Sequence, residues 1–188
     1  MGSISETCYY DRNTEMTMIT MLQYISRNGL RAEVGHPFDD PYLGNPKSNV
    51  GQRMSQDGPV GLVWMANGKE IQKRFQSRIQ AVMDLRSDRI VVIGHWNSPL
   101  DDSSPPNNGI VFDADGAVTR VIAIPKEILG KRSPNGQILR PEGLSVVKRV
   151  EGEIEIWLSY WQGDWHEQRI YEPETGSWGR VTGQYRAV

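Results

Sequence analysis

Three short stretches of this 188-residue chain place histidine beside carboxylates. They are Gly35-His36-Pro37-Phe38-Asp39-Asp40, Gly94-His95-Trp96-Asn97-Ser98-Pro99-Leu100-Asp101-Asp102 and Trp161-Gln162-Gly163-Asp164-Trp165-His166-Glu167. Imidazole and carboxylate together can bind a divalent ion that activates water, so a metal-dependent hydrolase built on His36, His95 and His166 is one reading. The histidines are 59 and 71 residues apart, which matches no metal motif. His166-Glu167 also lacks the second histidine of the HExxH pattern. No metal ligands and no cofactor are assigned on this basis.

A second chemistry is carbohydrate recognition. Asp101, Asp102, Asp164 and Glu167 stand near Trp96, Trp161 and Trp165. Glycoside hydrolysis needs two carboxylates facing each other across the scissile bond. Adjacent Asp-Asp pairs point in different directions, so the alternative is a glycan- or small-ligand-binding domain rather than a hydrolase. No nucleophile elbow, phosphate loop or dinucleotide fingerprint is present, and Gly130-Lys131-Arg132-Ser133 lacks the upstream glycine of a phosphate loop. No catalytic residue is assigned.

Aromatic side chains among charges of both signs are what protein-binding hot spots are made of. The leading expectation is therefore a non-enzymatic protein-binding module. Its binding residues would be His95, Trp96, Asp101, Asp102, Trp161, Asp164, Trp165, His166 and Glu167.

Hairpins must position these residues. Residues 61–66 and 69–75 flank Asn67-Gly68, which allows the positive φ angles of a type I′ turn. Further strand pairs are expected at 79–85 with 89–96, 109–112 with 118–124, 144–150 with 153–160, and 166–171 with 178–183. In the strand at 153–160 Ile154, Ile156 and Leu158 alternate with Glu153, Glu155 and Trp157, the mark of a half-buried strand. The expected class is all-β, an antiparallel meander of hairpins.

Three hairpins share an aromatic residue (Trp64, Phe112, Tyr171), a glycine turn (Gly68, Gly116, Gly176) and a basic residue on the return strand (Arg74, Arg120, Arg180). Tyr10 to Glu15 resembles a fourth copy. The aromatic spacings of 54, 48 and 59 residues suit four-stranded propeller-like blades, with 79–124 as one blade and 144–183 as another. A twisted meander sheet or a β-sandwich is the competing architecture. Residues 14–27 read as a helix through Met18, Met21, Leu22 and Ile25, or as a strand through Met16, Met18, Thr20, Leu22 and Tyr24. The helix is the preferred reading, closed by Asn28-Gly29. Residues 35–58 read as a long irregular loop. One domain is expected over 1–188, with an irregular part at 1–58 and the meander at 59–188.

Consecutive antiparallel strands alternate in direction, so every second connection lies at the same end. Tight turns at 67–68, 86–88, 114–116, 151–152 and 172–176 fall at one end. Connections 97–108, 125–143 and 161–165 fall at the other, and 35–58 joins them if a strand near 30–34 precedes it. All nine expected binding residues and His36 then share one end, where loops on a rigid scaffold carry function.

Composition limits the partners. The net charge of −2 gives no bulk attraction to nucleic acid or to an acidic membrane. No apolar run reaches the roughly 18 residues of a membrane-spanning helix, and no signal peptide is visible. The single cysteine, Cys8, permits no internal disulfide, which suits a reducing compartment and a cytoplasmic location.

The hairpin series 60–124 and 144–183, with the loops at 95–102 and 161–167, resembles in type the small cytosolic immunity proteins of bacterial toxin systems. The resemblance covers about two-thirds of the chain and has no diagnostic motif. It implies a β-rich protein that blocks a toxin or enzyme partner by occluding it. Tyr10-Asp11 and Phe112-Asp113 also bear a fainter likeness to the YD repeats of toxin-delivery shells, whose strict glycine-spaced register is absent here.

Overall fold

A computed structural model describes residues 18–34, 58–84, 88–95, 100, 107–128, 141–160 and 165–186. They form twelve strands and one 3-10 turn. Sheet one contains β1 (Ile19–Ser26), β2 (Arg31–Glu33), β3 (Pro59–Ala66) and β4 (Lys69–Arg74), in the order β2-β1-β3-β4. Sheet two contains β5 (Ile79–Met83), β6 (Arg89–Gly94), β7 (Gly109–Asp113) and β8 (Val118–Val121), ordered as in the chain. The 3-10 turn (Lys126–Ile128) follows. Sheet three contains β9 (Pro141–Val150), β10 (Glu153–Tyr160), β11 (Trp165–Glu172) and β12 (Ser177–Arg186), again in chain order. Every pairing in the three sheets is antiparallel. The all-β hairpin class is as expected; sheet two lies within the segment read as 79–124, and sheet three extends beyond the segment read as 144–183 at both ends.

The central sheet explains why its strands are apolar at nearly every position. Ile90, Val92, Ile110 and Phe112 face a core shared with Leu22, Tyr24, Leu62 and Trp64 of sheet one. Val91, Ile93 and Val111, one residue out of step, face a second core with Leu144, Ile154, Ile156 and Leu158 of sheet three. A strand buried on both faces has no solvent side to make polar. β10 instead carries a polar face, with Glu153 and Trp157 half-buried and Glu155 buried among partners, and its alternation survives.

Buried polar groups register the layers. Tyr24 Oη donates to the Ala81 carbonyl at 3.1 Å and accepts from the Ala81 N–H at 2.7 Å. Trp64 Nε1 donates to the Ala114 carbonyl at 2.8 Å. Between sheets two and three, Asn108 Nδ2 donates to the carbonyls of Gly94 (2.7 Å) and Leu144 (2.8 Å), and its Oδ1 accepts from the Leu144 N–H at 2.7 Å. Gln80 accepts from the Val147 N–H and donates to the Ser145 carbonyl, both at 3.1 Å. These two amides satisfy the outer edge of β9 as a neighbouring strand would.

The turns behave as their residues require. Asn67-Gly68 has φ angles of 52° and 71°, and Glu151-Gly152 has 51° and 90°. The shared aromatic–glycine–basic pattern has more than one content, however. A Cβ on Gly116 would meet Ile71 at 2.9 Å and one on Gly176 would meet Arg120 at 2.5 Å, so both turns dock against the preceding sheet. Gly68 has nothing within 4 Å and serves the turn alone. At the β5–β6 turn, burial and then the neighbouring Asp88 raise the Asp84 carboxyl to about 6.

One expectation is overturned. Residues 19–26 form a strand rather than part of a helix over 14–27; residues 14–17 lie outside the described set. The register shifts between Thr20 and Gln23, and Met21 adopts φ 55°. This bulge puts Ile19, Leu22 and Tyr24 on one face and exposes Met18 and Met21. A bulge turns a period of two into a local step of three, which mimics helical spacing. The expected strand near 30–34 is β2. The fourth hairpin copy at 10–15, Cys8 and the loop 35–57 lie outside the described residues.

Asn108→Ala strips three bonds from fully buried backbone groups and should cost about 3 kcal/mol in urea unfolding. Asn107, whose side chain accepts one bond from the Ile124 N–H, should cost about 1 kcal/mol on the same change. Equal losses would contradict this account of the inter-sheet tie.

Candidate functional site

Strand direction sorts the chain ends of sheets two and three. β6 ends at Gly94 and β7 starts at Gly109, while β10 ends at Tyr160 and β11 starts at Trp165. The Asn108 bonds to Gly94 and Leu144 put these ends side by side. Close approach is built in, because a Cβ on Gly109 would lie 2.7 Å from Leu144. The strand ends that flank 96–107 and 161–164 therefore lie next to each other. The tight turns at 114–117, 151–152 and 173–176 occupy the opposite end.

Sheet one departs from the expected meander. β2 lies outside β1 and runs in the direction of β3. The chain leaves β2 heading for the tight-turn end, so strand direction does not deliver His36 to His95 and His166. His36 itself lies outside the described residues. Among those residues no three His, Cys, Asp or Glu side chains come together as a metal site.

The expected binding residues separate on inspection. His95 is exposed, and its backbone N–H donates to the Arg78 carbonyl at 3.2 Å. Leu100 is buried in the core between sheets one and two. Trp96, Asp101, Asp102, Trp161 and Asp164 lie outside the described residues.

Trp165, His166 and Glu167 belong to a strand, and the pleat divides them. His166 faces away from the core and its Nδ1 lies 3.0 Å from Ser159 Oγ. Burial pulls its pKa below the usual histidine range, against an opposing effect of Glu142. Trp165 and Glu167 face the core side, with Arg169 next on the same face.

Glu167 is fully buried. It accepts from Arg169 Nε, and Gln184 Nε2 donates to its other oxygen at 2.6 Å. Arg169 also donates to Glu127 in the 3-10 turn at 2.7 Å. Burial lowers the guanidinium pKa, but Glu167 and Glu127 outweigh it and hold the charge firmly. Tyr160 lies within the field of all three, with its phenol pushed up first by burial and then by Glu167. Tyr160 Oη and Trp165 Nε1 are buried and have no hydrogen-bond partner among the described residues.

The opposite face of sheet three is polar and satisfied. Lys148 Nζ lies 3.1 Å from Glu155 and 5.0 Å from the centre of the Trp157 ring. Trp157 Nε1 and Thr182 Oγ1 both donate to Glu155. Arg180 pairs with Glu153.

Sequence reasoning missed Glu127, Tyr160, Arg169 and Gln184. A signal existed for Arg169. Once β11 is a strand, Trp165, Glu167, Arg169 and Tyr171 share one face, and opposite charges two residues apart on a core face must pair. Glu127 and Gln184 come from other elements and gave none.

Breaking this buried pair should be costly, because it leaves a charge without compensation. Arg169→Met should lose about 3 kcal/mol in urea unfolding, and adding Glu167→Leu should recover much of it. Arg180→Ala, which breaks the exposed pair with Glu153, should leave the urea midpoint almost unchanged. A loss at Arg169 no larger than that at Arg180 would contradict the reading of Glu167 and Arg169 as one buried unit.

No protein-family model matches the chain, and no curated protein matches it in sequence. A search of solved structures finds the fold in one chain of "Structure of Tne2 in complex with Tni2". The likeness has a TM-score of 0.53 at 12% identity and covers 91% of this chain and 100% of that one. Among the described residues, no helix is long and apolar enough to cross a membrane.

Proposed function

We propose that this chain is a non-enzymatic protein-binding module of the immunity or inhibitor kind, acting in the cytoplasm as a single domain of stacked, propeller-like sheets. The observation that carries the proposal is the Asn108 tie, which sets the ends of connections 96–107 and 161–164 side by side on a rigid base. Those connections hold two tryptophans, Trp96 and Trp161, and three aspartates, Asp101, Asp102 and Asp164. The like-folded chain comes from a complex of two proteins, which supports a protein partner here. The mechanism is occlusion. The connections cover a partner's cleft, the tryptophans supply desolvated contact area, and the aspartates pair with basic side chains.

The test starts with the product of the gene adjoining this one, co-expressed and co-purified with the chain. Asp101→Lys, Asp102→Lys and Asp164→Lys together should weaken the complex by about 100-fold in calorimetry. Unchanged affinity would reject the mechanism. Glycan-array binding that is lost in Trp165→Ala would favour the glycan-binding alternative.

A further inference from the structure

We propose that Arg169, Tyr160 and Trp165 form a binding site for a carboxylate group, at whose mouth the chain's own Glu127 now stands. The geometry begins with two buried atoms that have no partner among the described residues, Tyr160 Oη and Trp165 Nε1. Tyr160 and Trp165 are directly paired across β10 and β11, on the face that also carries Glu167 and Arg169. Tyr160 is 1% exposed, so bulk water does not satisfy its hydroxyl.

Donor chemistry, guanidinium shape and charge balance all select a carboxylate as the ligand. An indole N–H only donates, so whatever satisfies Trp165 must bring an acceptor. A cation brings none. Next, a guanidinium presents a fork of N–H groups matched to a carboxylate, and the described bonds of Arg169 use Nε toward Glu167 and Nη1 toward Glu127. Finally, charge must balance. Arg169 already neutralises one carboxylate, that of Glu167. Exchanging the Glu127 carboxylate for an incoming one leaves the net charge unaltered, whereas a doubly charged phosphate adds an uncompensated negative charge beside Glu167.

Glu127 is suited to being displaced. It sits on a three-residue turn and its side chain is 59% exposed, against 11% for Arg169 and 0% for Glu167. An exposed carboxylate regains its hydration on leaving, so releasing Glu127 costs less than releasing the buried Glu167 would. The carboxylate could belong to an acidic side chain of a partner protein or to a free small molecule, and the chemistry of recognition is the same.

The test needs only the isolated chain, so it can fail without touching the protein-binding proposal, and the reverse holds too. Glu127→Ala and the unaltered protein are titrated with sodium acetate against sodium chloride at matched ionic strength. The readout is the Trp165 indole N–H resonance, assigned by its loss in Trp165→Phe. Acetate should shift it saturably, with a midpoint roughly fivefold lower in Glu127→Ala than in the unaltered protein. Tyr160→Phe, which keeps the ring in the core, should weaken the response. No saturable shift in Glu127→Ala, or the same shift with chloride, would overturn the proposal. A capped aspartate amide that binds more tightly than acetate would identify the source as a protein side chain. Equal binding would identify a free small carboxylate.

Discussion

Two side-chain amides, Asn108 and Gln80, do for sheets two and three what a strand would otherwise do. β9 is an edge strand, and its outward N–H and C=O groups at Leu144, Ser145 and Val147 would be costly to bury unpaired. Asn108 and Gln80 take up these groups from the neighbouring layer. The apolar core between the sheets can be close-packed because its polar boundary is satisfied. The same bonds fix the sliding position of one sheet on the next, and hence where the chain ends emerge.

The candidate site follows from this constraint. Sheet two cannot rotate relative to sheet three without breaking the Asn108 bonds, so the ends of β6, β7, β9, β10 and β11 form one base. On that base the pleat of β11 assigns roles by parity. His166 is turned outward, where Ser159 engages it. Trp165, Glu167 and Arg169 are turned inward, where the 3-10 turn supplies Glu127. The inward set is neither ordinary core nor open surface. It is a charged cluster with buried hydrogen-bonding capacity to spare, while the outward face of sheet three has its charges paired within the sheet.

Much of this was legible in the residues. Asn-Gly and Glu-Gly turns between apolar runs announced the hairpins, and the six-residue alternation at 153–158 announced a sheet with one polar face. The unbroken Ile90 to Ile93 run fits a strand covered on both sides. What misled was local geometry that residue type does not encode. The bulge at Met21 imitated a helix, and the outer position of β2 broke the assumption of a strict meander. Glu167, near the start of the strand expected at 166–171, was expected on the binding surface. Only the trace of β11 shows that it lies buried against Arg169, and no spacing in the sequence brings Glu127 or Gln184 to that pair. Such contacts are long-range, set by how sheets stack, and a periodicity argument cannot reach them.

The central claim is that the ends of sheets two and three form one surface that meets a protein partner. Amide hydrogen exchange of the chain, alone and bound to the protein that co-purifies with it, tests this most directly. The account predicts added protection at 94–95, 107–109, 141–144 and 159–166, with the turns at 114–117 and 173–176 unchanged. Protection confined to those turns, or to β1 and β2, would contradict it.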